Sequence, residues 1–115
     1  MRTRVTRSFA FEAAHQLPWH SGKCRRLHGH SYRLEVTVEG ALDENGVVVD
    51  FDDLAQVVER EVVSHYDHRY LNELMDNPTA ELVAHQAWKR MEAAGLTVVR
   101  LRLWETPDSS VELLA

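Results

Sequence analysis

An α+β fold, with two helices laid over one face of an antiparallel sheet, is what this chain predicts, on three observations. Long stretches of strict apolar/polar alternation lie toward both ends, two stretches of helical period are bunched between them, and the composition is that of an ordinary globular protein. Of 115 residues, 44% are hydrophobic and 27% charged, with only 5 Gly and 3 Pro. That mix excludes disorder, collagen-like repeats and low-complexity arrays, and the length suits one domain over residues 1–115.

The elements follow in order. Arg4 to His15 alternates, and Phe9, Phe11 and Ala13 mark a packed face that ends in His15. Gln16 to Leu27, with Pro18, Gly22 and mixed polar and basic side chains, predicts a loop. Alternation resumes from His28 to Gly40, with Tyr32, Leu34, Val36 and Val38 pointing one way. Asp43-Glu44-Asn45-Gly46 is a turn signal, and with Val47-Val48-Val49 after it a hairpin is predicted.

The period then changes. Phe51, Leu54, Val58 and Val62, with Ala55 and Val57, form the stripe of an amphipathic helix. Asp50 is placed to cap it, and Asp52 and Asp53 suit the positive end of its dipole. His65 to Asn77 reads as irregular. Asn77-Pro78-Thr79 opens a second helix with Pro in the first turn, Val83, Ala84, Ala87, Met91 and Ala94 inside, and Gly95 as terminator. Thr97 to Thr106 alternates again, with Val99, Leu101, Leu103 and Glu105 on one face, and Val111 to Leu114 makes a short last strand.

Charge and cysteine content narrow the function. Lys plus Arg is 13 and Asp plus Glu is 18, a formal charge of −5, so the domain lacks the overall field that draws in nucleic acid. Cys24 is the one cysteine and cannot close an internal disulfide. No apolar run approaches a membrane span, and the opening MRTRVTRSFAFEAAH alternates instead of forming a secretion core. A reducing, cytoplasmic setting without nucleic-acid or membrane partners is the expectation. Histidine is the unusual residue: 7 are present, where ordinary composition gives about two or three.

Two of these form His28-Gly29-His30. Residues two apart on a strand share a face, so the imidazoles sit side by side as a chelating pair for zinc. If the first two strands pair antiparallel, His15 lies opposite them at the same end of the sheet. Three histidines on two strands leave a tetrahedral ion one open position, the mark of a catalytic centre. His20 lies in the loop, expected to face solvent. Cys24, among Lys23, Arg25 and Arg26, is open to three readings: a buried small hydrophobe, a thiolate favoured by the positive patch, or a fourth zinc ligand that would close the site. Asp67-His68 is a carboxylate–imidazole pair suited to orienting a base, though a helix-end histidine is the plainer alternative. Glu105 ends an apolar face, so it either pairs with a base or accepts two parallel hydrogen bonds from a guanidine-like heterocycle.

Six segments in this order carry a family resemblance: Phe11-Glu12-Ala13-Ala14-His15, Cys24-Arg25-Arg26-Leu27-His28-Gly29-His30, Val49-Asp50-Phe51, Asp67-His68-Arg69-Tyr70-Leu71-Asn72, Asn77-Pro78-Thr79-Ala80-Glu81 and Trp104-Glu105-Thr106. Together the chain resembles the 6-pyruvoyltetrahydropterin synthase superfamily, and within it the bacterial 6-carboxytetrahydropterin synthases of queuosine biosynthesis. The resemblance implies a T-fold, a ββααββ subunit whose sheet joins its neighbours' into a barrel, commonly a homohexamer of two stacked trimers. It implies Zn2+ on His15, His28 and His30, Cys24 as the base, Asp67 and His68 completing its relay and serving a neighbour's Cys24, and Glu105 anchoring a pterin ring. Thr79 and Glu81 match the segment that lines the pterin pocket. The implied substrate is 7,8-dihydroneopterin triphosphate, cleaved to 6-carboxytetrahydropterin with release of acetaldehyde and triphosphate. Three residues separate Cys24 from His28, the spacing of that branch; animal pyruvoyl-forming relatives carry a longer interval, and a branch that replaces folate aldolase has an acidic residue at the cysteine. The alternatives are a 6-pyruvoyltetrahydropterin synthase and a non-catalytic zinc- or pterin-binding module on the same fold.

Overall fold

The first two alternating stretches become long antiparallel strands, β1 (Thr3–His15) and β2 (His28–Gly40), in the computed structural model, which describes residues 1–115. They pair without interruption from Thr3 opposite Gly40 to His15 opposite His28. On one face Phe9, Phe11 and Ala13 meet Leu34, Tyr32 and His30, cross-strand contacts that hold a register against one-residue slippage. β4 (Val98–Thr106) and β5 (Ser109–Leu114) extend the sheet antiparallel on the far side of β2.

A short strand that the sequence did not announce, β3 (Arg69–Tyr70), adds to β1 in parallel, so the sheet is mixed and runs β3-β1-β2-β4-β5. Its two residues carry too little pattern to read as a strand; the match to β1 makes them one.

The helices cover the face that holds Phe11, Tyr32 and Leu34. α1 (Phe51–Val58), a π-helical segment (Glu59–Val63) and α2 (Ser64–Tyr66) run on as one arm, and α3 (Ala80–Ala93) lies beside it. Leu54, Val58, Val62 and Tyr66 are its buried residues. Steps of four drift by about 40° each around an α-helix; the wider π turn winds the stripe back toward the sheet. Asp50 caps α1 by accepting from the Asp52 N–H at 2.7 Å. Leu54, Val58, Val62, Met91, Leu101 and Leu103 are at most 1% exposed, and truncating one such leucine to alanine costs about 2–5 kcal/mol.

The structure corrects four local expectations. Asp43 and Val47 close the turn by a backbone bond of 2.9 Å, but Val47 to Val49 form no strand; Val48 and Val49 pack half-buried against the core instead. Phe51 is 55% exposed and lies outside the stripe. Thr79, not Pro78, sits at the boundary of α3, its Oγ1 accepting from Leu82, so Pro78 precedes the cap and stands outside the first turn. A register shift between Thr37 and Val38 turns Val98 into the core in place of Val99. Gly95 does end α3, at φ +96°, where a side chain would be strained.

Candidate metal centre and active site

The β1–β2 register sets the first geometry. His15 faces His28, and His30 faces Ala13 two pairs further on, all toward the helix-covered side. The ring centroids of His15, His28 and His30 stand 4.6, 4.8 and 5.1 Å apart. His15 Nδ1 lies 2.7 Å from the Pro78 carbonyl, and His28 Nδ1 lies 2.7 Å from the Arg26 carbonyl. A carbonyl only accepts, so each Nδ1 must carry the proton and donate it, which leaves Nε2 with its lone pair. Outer partners of this kind orient the rings of metal-binding histidines.

All three Nε2 atoms are buried and have no hydrogen-bond partner. One such orphan costs about 1–3 kcal/mol, so three converging on a single point require an explanation that lies outside the chain. A ligand atom from each of His15, His28, His30 and Glu105 falls within 4.8 Å of the others. Imidazole nitrogens with a carboxylate oxygen are a donor set that suits zinc. Burial pushes the His30 pKa below the ordinary histidine value; Glu105 opposes this and the two neighbouring histidines reinforce it. A neutral ring at neutral pH is the form that binds a metal.

Glu105 Oε1 is 3.0 Å from His30 Nε2 and 4.0 Å from His15 Nε2, close without the alignment of a hydrogen bond at the nearer ring. Its side chain is 24% exposed. The β2–β4 pairing runs as far as Arg33 opposite Trp104, and Tyr32 and Glu105 are the residues next to that last pair. Tyr32 stacks on Phe11 at 4.9 Å, is 1% exposed, and its hydroxyl has no partner. Burial, with the charge of Glu105 adding to it, holds the phenol well above its usual pKa.

Cys24 lies half-buried on a 3-10 turn (Lys23–Arg25). Its carbonyl accepts from the Leu17 N–H at 2.9 Å, and Gln16, beside it, is held at both its N–H and its C=O by the Asn72 amide, each at 2.9 Å. The group that could hold a metal contains Glu105 and does not contain Cys24, so the geometry gives no support to a fourth thiolate ligand. His20, expected to face solvent, is half-buried and engaged within the loop, its Nδ1 accepting from Gly22 at 2.8 Å.

Asp67 and His68 lie elsewhere. They follow α2 at a turn docked on β1: the Glu12 N–H donates to Asp67 Oδ1 at 2.9 Å, and the His68 N–H donates to the Glu12 carbonyl at 2.6 Å. Those bonds hold His68 at φ +58°, a left-handed conformation that a non-glycine residue adopts only under constraint. Asp67 Oδ2 is 3.0 Å from His68 Nδ1. The Glu12 N–H, followed by the His68 ring, draws the Asp67 pKa below the ordinary aspartate value. The His68 side chain is 79% exposed and lines a cavity of about 470 Å³ with Glu12, Ala14, Gly29, His30, Ser31 and Tyr70. By strand alternation Glu12, Ala14, Gly29 and Ser31 face away from the three histidines, so the pair opens toward that far face, in a cavity that His30 also borders.

Thr79 spends its hydroxyl on the α3 cap and Glu81 is exposed in the first turn, next to the Pro78 carbonyl that holds His15. Sequence reasoning missed Tyr32 and Asn72 as site residues. For Tyr32 a signal existed, since the face of His28 and His30 continues to it; for Asn72 there was none, because its partner is 56 positions away.

Residues 4–115 match the 6-pyruvoyl tetrahydropterin synthase family. The chain is 41% identical over 106 residues to the putative 6-carboxy-5,6,7,8-tetrahydropterin synthase of Archaeoglobus fulgidus, covering 92% of this chain and 90% of that protein. It is 43% identical over 99 residues to the 6-carboxy-5,6,7,8-tetrahydropterin synthase of Synechocystis, covering 80% and 77%. It is also 40% identical over 116 residues to the dihydroneopterin monophosphate aldolase of Pyrococcus furiosus, covering 98% of each. In structure it superposes on the 6-pyruvoyl tetrahydropterin synthase of Caenorhabditis elegans with a TM-score of 0.87, over 100% of this chain and 96% of that one, at 23% identity.

Proposed function

The chain belongs to the 6-pyruvoyl tetrahydropterin synthase family, and we propose that within it the protein is a zinc-dependent carbon–carbon lyase of the 6-carboxytetrahydropterin synthase type. The observation that carries the reading is the set of three partnerless, buried Nε2 atoms beside Glu105. The substrate in this reading is 7,8-dihydroneopterin triphosphate, and the products are 6-carboxy-5,6,7,8-tetrahydropterin, acetaldehyde and triphosphate. Relatives that bear the synthase name at 41% and 43% identity support it.

The residues divide the work by their chemistry. His15, His28 and His30 would hold the zinc through Nε2, and the ion would supply Lewis-acid polarisation of the substrate side chain. Glu105 accepts paired N–H groups of the pterin ring, placing the side chain of the substrate toward the histidines. Cys24, as thiolate, removes a proton from that side chain, and His68, oriented by Asp67, relays it. Thr79 and Glu81 line the pterin pocket. Because Asp67 and His68 open on the face away from their own metal ligands, they serve the Cys24 of a neighbouring subunit, in a homohexamer built as a dimer of trimers. The chain works as a single T-fold domain, 1–115, in the cytoplasm, and its product enters queuosine biosynthesis.

A second reading rests on the Pyrococcus furiosus relative: an aldolase acting on a dihydroneopterin phosphate. Product analysis decides. Zinc-loaded protein given 7,8-dihydroneopterin triphosphate is expected to release acetaldehyde and triphosphate in equal amounts. Release of a phosphorylated glycolaldehyde, its phosphate still attached, would favour the aldolase, triphosphate without an aldehyde would favour the pyruvoyl-forming reaction, and no turnover at all would leave a binding module.

A further inference from the structure

On the sheet face turned away from the three histidines, two arginines share one indole. Arg33 of β2 lies opposite Trp104 of β4, and Arg102 precedes Trp104 by two positions on the same strand, so all three project to that face. The guanidinium carbon of Arg102 stands 4.6 Å from the centre of the Trp104 ring, and that of Arg33 stands 5.6 Å from it. The two cations are therefore no further apart than the sum of those distances.

Neither has an acidic partner. In register, Arg102 faces Glu35 on one side and Glu112 on the other. Both carboxylates pair with Arg100 instead, Glu35 at 3.3 Å. Arg102 keeps the Ser110 hydroxyl, which accepts from its Nε at 3.2 Å, and Arg33 is exposed with neither a hydrogen bond nor an ion pair. The indole attracts each cation, but it does not cancel the repulsion between them. A guanidinium held over a ring engages its flat side and leaves N–H groups at its edge free for an anion. Beside Arg33 and Trp104 a cavity of about 400 Å³ opens, bordered also by Ala10, Ser31, Thr106 and Pro107. Its hydroxyls are already engaged, Ser31 donating to Glu12 at 2.7 Å and Thr106 to Asp108 at 2.8 Å. The arginines are the donors left for a ligand, with Glu12 and Asp108 as the opposing charges nearby.

We propose that Arg33, Arg102 and Trp104 form a binding site for a phosphate group, separate from the metal centre. A tetrahedral oxyanion offers lone pairs in several directions, so guanidinium forks on two strands can meet one ligand, whereas a carboxylate presents a single edge. The site stands on this face alone and does not depend on the reaction assigned to the histidines. The phosphate group is either free phosphate or the end of a polyphosphate chain.

Inorganic phosphate is titrated calorimetrically into the parent and into His30→Ala, whose broken metal centre removes zinc as a rival anion site. Inorganic triphosphate is titrated into His30→Ala only, because it chelates zinc. Phosphate is expected to bind both chains alike and more weakly as ionic strength rises. Binding is expected to change tryptophan emission, and Trp104→Phe to abolish that change while Trp19 and Trp88 remain. Arg33→Gln and Arg102→Gln should each weaken binding by about tenfold, the worth of one charge-assisted hydrogen bond. Arg4→Gln, on the same face but paired with Glu39 at 2.9 Å, should leave it unchanged. Triphosphate binding at least about tenfold tighter than phosphate supports a chain that reaches both arginines; equal affinity supports a site for free phosphate. No binding up to about 10 mM, where even a weak site fills, overturns the proposal. Equal weakening by Arg4→Gln overturns it as well, since it marks a diffuse surface effect, and so does loss of binding in His30→Ala. If Arg102→Gln fails to fold, exposed Arg33 decides: unchanged affinity in Arg33→Gln overturns the site.

Discussion

The histidine cluster and the Asp67–His68 pair are made of similar side chains and are built on opposite principles. His15, His28 and His30 project from two long strands whose register is held over the whole length of β1, and the outer nitrogens of His15 and His28 are pinned by the Pro78 and Arg26 carbonyls. His15 is 0% exposed. His68 sits instead on a turn, held at φ +58° by backbone bonds to Glu12, with a side chain 79% exposed. The first region is anchored in paired strands, largely sheltered, and its nitrogens converge where they could hold an ion. The second is strained, open and lacks a substrate-side partner. A site that holds a cation needs fixed lone pairs, whereas a group that moves a proton to and from a substrate needs access. The contrast also says where damage should appear: in metal content for the cluster, and in turnover alone for the pair.

The largest effect expected is at the cluster. His30→Ala removes a ligand outright, so zinc affinity should fall by well over the roughly hundredfold that losing an outer partner costs, and turnover should vanish with it; metal analysis of the purified variant checks this. A variant that keeps stoichiometric zinc would break the comparison at its root. Cys24→Ala comes next. It should retain zinc while turnover drops by about 10²–10⁴, the usual worth of a positioned base; zinc loss would return the thiolate to the ligand set.

At the pair, His68→Gly should lower turnover by about a hundredfold and leave zinc content alone. Melting temperature should hold or rise, because glycine adopts a positive φ without strain. A falling melting temperature would mean that the His68 ring stabilises the turn. The smallest effect is the pH dependence of Asp67. Its carboxyl has a native pKa below the ordinary value of 3.8, so its contribution to stability is present above that value and is lost as pH falls through the lower native one. Asp67→Asn should therefore differ from the parent at neutral pH and converge with it in acid, seen in melting temperature against pH; a gap that persists in acid would place the effect elsewhere.

Much of the fold was legible because its signals are local. Alternation marks β1 and β2, Asp50 and Gly95 mark helix ends, and the spacing of His28 and His30 with His15 at a strand end outlines a metal site before any contact is known. The misreadings are local too, and each was overruled from a distance. Val47 to Val49 look like a strand, but Val48 and Val49 pack half-buried against the core instead. Val98 replaces Val99 because β4 must shift to keep pairing with β2. The wide helical turn at Glu59–Val63 lets residues four apart stay against the sheet.

The amino-acid sequence by itself determined the periods, the caps and the side-by-side pair of His28 and His30, since each depends on residues within a few positions of one another. Only the tertiary structure decided which polar atoms would be left without partners, which carboxylate joined the histidines, and on which side of the sheet His68 would open. Hydrogen-bond satisfaction depends on every group that comes within reach, and for Glu105 and Asn72 those groups lie dozens of positions away along the chain.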